Sequence, residues 1–347
     1  LEFVAALSLK VLAQKIGVST ATISNALNNK GKISPKLRQR IVRMAKEQGY
    51  TISPHALALQ GRRLNILGLM IASIEDGMAQ KFFVGADRAA QEKNYSTILS
   101  ISSHSELDTS EMELRSVQRF DTLKVGGVLY VPAADTEHLK VERILEKRGI
   151  PFVLLYRRRQ SDTSPAVIVD HAEGFRLGID HLVSLGHRRV GVVYDPLYRG
   201  PELLIAREVF RQRFPRSRWA QWNVPLDWGR IGELLKRGAT AFLTLSDDSA
   251  FTLKGVLSAH GLSVPHDVSI IGFRDTIVAR TMTPKLTTVR VPAEEMGYAA
   301  AQWLVNQIEA APPKAKRIPV DPIDLCVTPT LVVRESTAPP KASRFGS

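Results

Sequence analysis

The stretch Val18-Ser19-Thr20-Ala21-Thr22-Ile23-Ser24-Asn25-Ala26-Leu27-Asn28 decides how the chain is read. Ser19 suits an N-cap, and Ile23 and Leu27 stand one turn apart. A short helix here buries that face and presents Thr20, Ala21, Ser24 and Asn25, small and uncharged, on the other. Just upstream, Ser8 offers another N-cap, Leu9, Leu12, Ala13 and Ile16 share one helical face, and Gly17 supplies the stop. Two helices joined by a tight Gly-containing turn form a helix-turn-helix, whose second member reads the major groove. An ordinary helical hairpin is the plainer alternative on these two helices alone.

Moving outward, Asn29-Lys30-Gly31-Lys32 makes a basic turn, and Ser34-Pro35 opens a third helix that Gly49 closes. Leu37, Ile41, Met44 and Ala45 pack inward, leaving Lys36, Arg38, Arg40, Arg43 and Lys46 to lie beside phosphates, contacts that give affinity without sequence information. Charge is distributed to match. Of the net +13, residues 1–63 hold eleven Lys or Arg against Glu2 and Glu47, hence +9, and the other 284 residues carry +4. A basic head for a polyanion and a nearly neutral body follow.

Ser53-Pro54 to Gly61 reads as a further short helix, too short to be stable alone in water. It folds when docked on DNA, where Leu59 can wedge between base pairs, or it is a plain linker whose leucines pack on the body. Beyond it, apolar runs at Ile66–Ala72, Ser96–Ile101, Gly127–Val131, Phe152–Leu155, Ala166–Val169, Arg189–Tyr194, Ala241–Leu245 and Val268–Gly272 alternate with amphipathic helical stretches. This alternation predicts parallel sheets covered on both faces, and the length, 347 residues in all, suggests two such lobes with a ligand beyond the strand ends.

Several classes lose support. Cys326 is the lone cysteine, which leaves no disulfide framework or zinc cluster. We expect no metal and no cofactor. Neither an export signal nor an apolar run long enough for a bilayer is readable, so a cytoplasmic protein without membrane contact is expected, and a solute-binding protein for uptake is disfavoured. No phosphate-binding Gly loop, HExxH or nucleophile elbow points to an enzyme.

The motif Val-Ser-x-x-Thr-Ile-Ser-x-Ala-Leu-Asn, the Ser-Pro third helix, Gly49-Tyr50 and Ser53-Pro54-x-Ala56-x-x-Leu59 together resemble the lactose-repressor (LacI/GalR) family of bacterial transcription regulators. The resemblance runs on through Asp170-His171-x-x-Gly174-x-Arg176-Leu177-Gly178, Leu185-Gly186-His187-Arg188-Arg189, Val264-Pro265-x-Asp267-Val268 and Pro284-x-Leu286-Thr287-Thr288-Val289. It implies an α/β protein: a helix-turn-helix head at 6–52, a hinge helix and linker at 53–63, and a two-lobed periplasmic-binding-protein-like body at 64–334. The N-lobe is expected at about 64–165 plus 275–300 and the C-lobe at about 166–274 plus 300–334, with 335–347 as a disordered tail. It further implies a homodimeric regulator, usually a repressor, on a palindromic double-stranded DNA operator, with a small effector between the lobes. The DNA-binding set is Ser19, Thr20, Ala21, Thr22, Ser24, Asn25, Asn28 and Lys32 from the head and His55, Ala56 and Leu59 from the hinge. Leu57 stands where the family usually has Arg.

The cleft departs from the family. Positions that commonly carry Asp, Asp, Arg, Asn and Asp hold Ser73, Tyr156, Val209, Ser246 and Arg274, which removes the charge-assisted clamp on sugar hydroxyls. The expected effector-binding residues are Ser73, Met78, Tyr130, Tyr156, Asp170, Arg207, Trp222, Ser246, Asp247 and Arg274. Arg274 makes the cleft cationic and Tyr156 offers a stacking face, so an anionic or aromatic effector is expected. The alternative is a vestigial cleft, answering to a protein partner or to nothing; the compressed, Trp- and Arg-rich segment between Pro201 and Gly238 favours it.

Overall fold

The computed structural model describes residues 9–27, 31–48, 63–74, 77–102, 109–133, 138–156, 164–193, 201–213, 228–311 and 323–341. The chain divides into two compact units, Leu1–Leu64 and Asn65–Ser347.

In the first unit, α1 (Leu9–Ile16), α2 (Thr20–Leu27) and α3 (Pro35–Glu47) enclose a small core of Leu12, Ala13, Ile16, Ile23, Ala26, Ile41 and Ala45. The Ser19 Oγ accepts the Thr22 N–H at 3.0 Å and the Ser34 Oγ accepts the Leu37 N–H at 3.3 Å, so both helices start on the expected caps. Gly17, between α1 and α2, has φ 78°, where a side chain would be strained.

The second unit holds two sheets. In chain order its elements are β1 (Leu64–Ile71), α4 (Met78–Glu92), β2 (Ser96–Ile101), α5 (Thr109–Thr122), β3 (Val125–Tyr130), α6 (His138–Lys147), β4 (Phe152–Tyr156) and β5 (Ala166–Val169). Then follow α7 (His171–Ser184), β6 (Val190–Val193), α8 (Pro201–Arg213), α9 (Trp228–Lys236), β7 (Ala241–Thr244), α10 (Asp247–Ala259), β8 (Ser269–Arg274) and α11 (Ile277–Thr281). The last are β9 (Thr287–Arg290), α12 (Ala293–Ala310), β10 (Asp324–Val327) and β11 (Thr330–Val332). The first sheet runs β10-β5-β4-β3-β1-β2 and the second β11-β9-β8-β7-β6. β11 pairs antiparallel with β9, while β6, β7, β8 and β9 are parallel. Strands such as Val125–Tyr130 and Phe152–Tyr156 are buried along their whole length, as parallel strands covered on both faces must be.

The lobe boundaries differ from the expected ones. β5 pairs with β4 and β10 in the first sheet, so residues 166–169 and 324–327 belong to the N-lobe. β9 pairs with β8 in the second sheet and belongs to the C-lobe. α12 packs its small face, Gly297, Ala300 and Ala301, on α4 and the first sheet, again in the N-lobe. Strands of three or four residues carry no local mark of which sheet they will join, so only the pairing decides.

The tail is also corrected. Residues 335–341 are not disordered but run along the second sheet: Ser336 is fully buried, its Oγ accepts the Thr287 N–H at 2.8 Å, and its carbonyl accepts the Ile270 N–H at 2.9 Å. His187 bridges Thr240 Oγ1 and the Ala338 carbonyl, a structural role; burial holds its pKa below the ordinary value. Residues 342–347 lie outside the described residues. Among the described residues no helix is long and apolar enough to cross a membrane, and no cluster of His, Cys, Asp and Glu could hold a metal ion.

Candidate functional site

The head presents one uncharged face. Thr20, Ala21 and Asn25 are exposed on α2 while Ile23 and Ala26 anchor it from behind. Thr22 and Ser24 are half-buried, and Ser19 spends its hydroxyl on the cap and on Thr22 Oγ1. Lys32, Lys36, Arg40 and Arg43 are exposed on the turn and helix that follow. An apolar core holding a short polar helix, flanked by cations, is the arrangement that docks on phosphates and reads base edges. Asn28, His55, Ala56 and Leu59 lie outside the described residues.

In the body, a small recess beyond the strand ends is lined by Tyr156, His171, Phe175, Glu202, Leu203, Leu245, Phe273 and Arg274. Two of these residues arrive by an unusual route. Along β4, Phe152 and Leu154 point into one core layer and Val153 and Leu155 into the other, as alternation requires. Tyr156 should follow Leu154, yet it joins the layer of Val153 and Leu155, because its φ is 75°. Arg274 ends β8 in the same way, with φ 107°, and lies over the Tyr156 ring, its Cζ 6.0 Å from the centroid. Side chains in this backbone region cost about 1–3 kcal/mol each, and such strain concentrates at binding sites.

Four of the eight wall residues carry rings. His171 stacks on Phe273 with centroids 6.0 Å apart and 8° between planes, and meets Tyr156 edge-on at 5.0 Å. Phe175 packs against Phe273 at 4.8 Å. The His171 Nε2 lies 3.8 Å from Glu202 Oε1. Arg274 is 2% exposed.

Other residues expected in the effector site hold partners within the fold. Asp170 caps α7 by accepting the Glu173 N–H, and Ser246 caps α10 by accepting the Ser249 N–H. Asp247, fully buried, accepts the Thr276 N–H and the Thr288 hydroxyl, both at 2.6 Å. Burial raises its pKa from 3.8 to about 6, against those hydrogen bonds, with Asp275 pushing the same way as burial. Tyr130 is fully buried among Phe120, Val128 and Leu154, on the opposite face of the first sheet from Tyr156's layer. Met78 is a core residue at the start of α4, Arg207 is exposed on α8, and Ser73 is half-buried; none of the three lines the recess. Trp222 lies outside the described residues.

His171, Phe175, Glu202, Leu203, Leu245 and Phe273 were not anticipated. Rings and leucines on strands and helices read as core in a sequence, and the Asp-His pair at 170–171 was the one local sign.

Beside the recess the lobes touch directly. Lys81 of α4 donates to the Asp275 carbonyl at 2.6 Å, and burial lowers its pKa despite the Asp275 charge. Burial works to raise the Asp275 pKa, but hydrogen bonds from Arg334 and Arg290 hold it below the usual carboxylate range.

A helix-turn-helix followed by a basic helix, in one chain with a two-sheet α/β body recessed beyond its strand ends, defines a DNA-binding regulator. The comparisons agree. Residues 8–53 match "Bacterial regulatory proteins, lacI family" and residues 179–337 match "Periplasmic binding protein-like domain". The HTH-type transcriptional regulator DegA of Bacillus subtilis (strain 168) is 28% identical over 303 residues, spanning 82% of this chain and 87% of its own. The lac repressor dimer bound to operator and the anti-inducer ONPF shares the fold with a TM-score of 0.74 at 23% identity, covering 96% of this chain and 99% of that one. A regulator from Enterococcus faecium with bound ribose has a TM-score of 0.65 at 26% identity, over 80% of this chain and all of its own. The chain thus carries a lacI-family helix-turn-helix head and a periplasmic-binding-protein-like body, and the curated relatives it resembles are HTH-type transcriptional regulators.

Proposed function

We propose that the protein is a repressor that binds a palindromic operator as a homodimer and changes its DNA affinity when a small ligand enters the recess between the lobes. The observation that carries the DNA reading is the exposed trio Thr20, Ala21 and Asn25 on a helix whose opposite face is locked into the head core. Helix-turn-helix dimers read two half-sites about one duplex turn apart, so two-fold symmetry in the protein is matched in the operator. Phe251, Ile277 and Val84 are large apolar side chains exposed at 55%, 65% and 45%. The lac repressor, solved as a dimer on its operator, supports the same reading.

Ligand control follows from the two-lobed body. A ligand that favours one lobe arrangement shifts the DNA affinity, and DNA shifts ligand affinity by the same factor. The hinge at 53–63 carries the change by folding, or failing to fold, with Leu59 as the minor-groove wedge.

The test begins with selection of bound duplexes from a random pool. The selected sites should be palindromic, and Asn25→Ala should change base preference at one position in each half-site. Equal loss of affinity on every sequence would remove Asn25 from base reading. Leu59→Ala should reduce specific affinity and DNA bending together; unchanged bending would exclude the wedge.

A further inference from the structure

Charge alone places Arg38 beside phosphates, with the other cations of α3. Its surroundings set it apart: Lys36, Arg40 and Arg43 are exposed, whereas Arg38 is half-buried. Helical side chains lean toward the N-terminus of their helix, so a long one at the fourth position of α3 reaches back over the helix start to the chain that leads into it. There the Arg38 Nη2 donates to the Gly31 carbonyl at 3.3 Å. The same carbonyl accepts the Ile33 N–H at 3.1 Å, and Ile33 packs on the head core. Gly31 is thus tied both to α3 and to the core, at φ 71°, a conformation that glycine adopts without strain.

Gly31 faces Asn25. A Cβ added to Gly31 would stand 3.5 Å from the Asn25 Nδ2 and 3.7 Å from its Cβ and Cγ, ordinary contact distances. Burial of Ile23 and Ala26 fixes α2, and with it the Asn25 Cβ, but two torsions further out decide where the exposed amide points. Paired hydrogen bonds to a base edge need both polar atoms of the amide at set positions, and an amide ordered before docking gives up less freedom on binding. Gly31 closes one side of that amide.

We propose that Arg38 is a positioning residue for base reading: it holds the Gly31 carbonyl, and Gly31 limits the Asn25 amide to the arrangement that meets a base edge. This rests on the DNA reading above, in which Asn25 contacts a base. A phosphate contact and a positioning contact leave different marks. Loss of a phosphate contact weakens binding to every sequence alike and lowers the slope of log affinity against log salt by about 0.9. Loss of a positioning contact relaxes the preference at one base pair in each half-site and leaves the slope nearly unchanged.

The full chain is titrated with the selected duplex, and with duplexes carrying the other three base pairs at the position that Asn25→Ala identifies, at several salt concentrations. Discrimination at that position in the native chain should be about five- to a hundredfold. Arg38→Met should lose most of it at a nearly unchanged salt slope. Arg38→Gln, polar, uncharged and a good helix former, carries the same expectation and serves where Arg38→Met fails to fold. In an Asn25→Ala background neither change should remove further preference, because the two residues act as one unit.

Three results overturn the proposal: equal weakening on all four duplexes with a slope lower by about 0.9, which returns Arg38 to the phosphates; full discrimination in Arg38→Gln; or a loss of preference that adds to that of Asn25→Ala. The two readings fail separately. Asn25→Ala that weakens every duplex equally removes Asn25 from base reading and this proposal with it, whereas a position-specific change in Asn25→Ala that Arg38→Gln does not share removes this proposal alone.

Discussion

Tyr156 closes a strand of the first sheet and Arg274 a strand of the second, and they meet with the guanidinium carbon 6.0 Å from the ring centroid. Each does so in left-handed backbone, at φ 75° and 107°. The contact therefore joins the two lobes at the wall of the recess, at a cost in conformational energy that surrounding packing must offset.

That cost can be isolated. Arg274→Ala and Arg274→Gly delete the same cation, but only glycine accepts φ 107° without strain. We expect Arg274→Gly to be more stable than Arg274→Ala by about 1 kcal/mol or more in urea denaturation. Equal stability of the two would mean that the backbone here stores nothing.

Asp247 sets a pH dependence. Its folded pKa of about 6 lies above the ordinary 3.8, so the folded state holds the proton more tightly than the unfolded chain. Its contribution to stability is largest below 3.8 and is lost as pH rises through about 6. Asn at this position can accept the Thr276 N–H and donate to the Thr288 hydroxyl, with no charge to bury. Asp247→Asn should therefore gain stability relative to the native chain as pH rises from about 4 to 8, read as melting temperature; a constant difference across that range would refute the assignment.

The tail residue Ser336 should behave as core. Ser336→Ala leaves the buried Thr287 N–H without its acceptor, a loss of about 1–3 kcal/mol, and should speed amide exchange at Thr287. A neutral effect in denaturation would restore the tail to the surface.

Two glycines should respond in opposite directions. A Cβ on Gly85 of α4 would overlap the Glu294 carbonyl of α12, whereas one on Gly255, exposed in α10, meets nothing within 4 Å. Gly85→Ala should destabilise by about 1–3 kcal/mol or more, since backbone atoms cannot give way as side chains do. Gly255→Ala should stabilise by about 0.5–1 kcal/mol through helix propensity. Guanidinium denaturation of both variants checks the pair.

The head was legible in the sequence because its signals are local. Caps at Ser19 and Ser34, the stop at Gly17 and the spacing of Leu12, Ile16, Ile23 and Ile41 lie within a turn or two of what they determine. The alternation of fully apolar strands with helices likewise fixed parallel sheets before any pairing was known. The short strands β9, β10 and β11 and the helix Trp228–Lys236 were not read as elements. β10 is an edge strand with exposed Asp324 and Leu325, and carries no alternation long enough to register.

What the sequence alone determined is the class of protein: the reading helix, its basic flank, the α/β body, and the exchange of a common Asp for Arg274. The tertiary structure decided which lobe each short strand joins, that the tail seals the second sheet, and which polar residues face the recess. The physical reason is range. Periodicity and capping report on neighbours along the chain, whereas Asp247 meeting Thr288, or Arg274 meeting Tyr156, depends on pairing and on backbone sign at positions far apart in sequence.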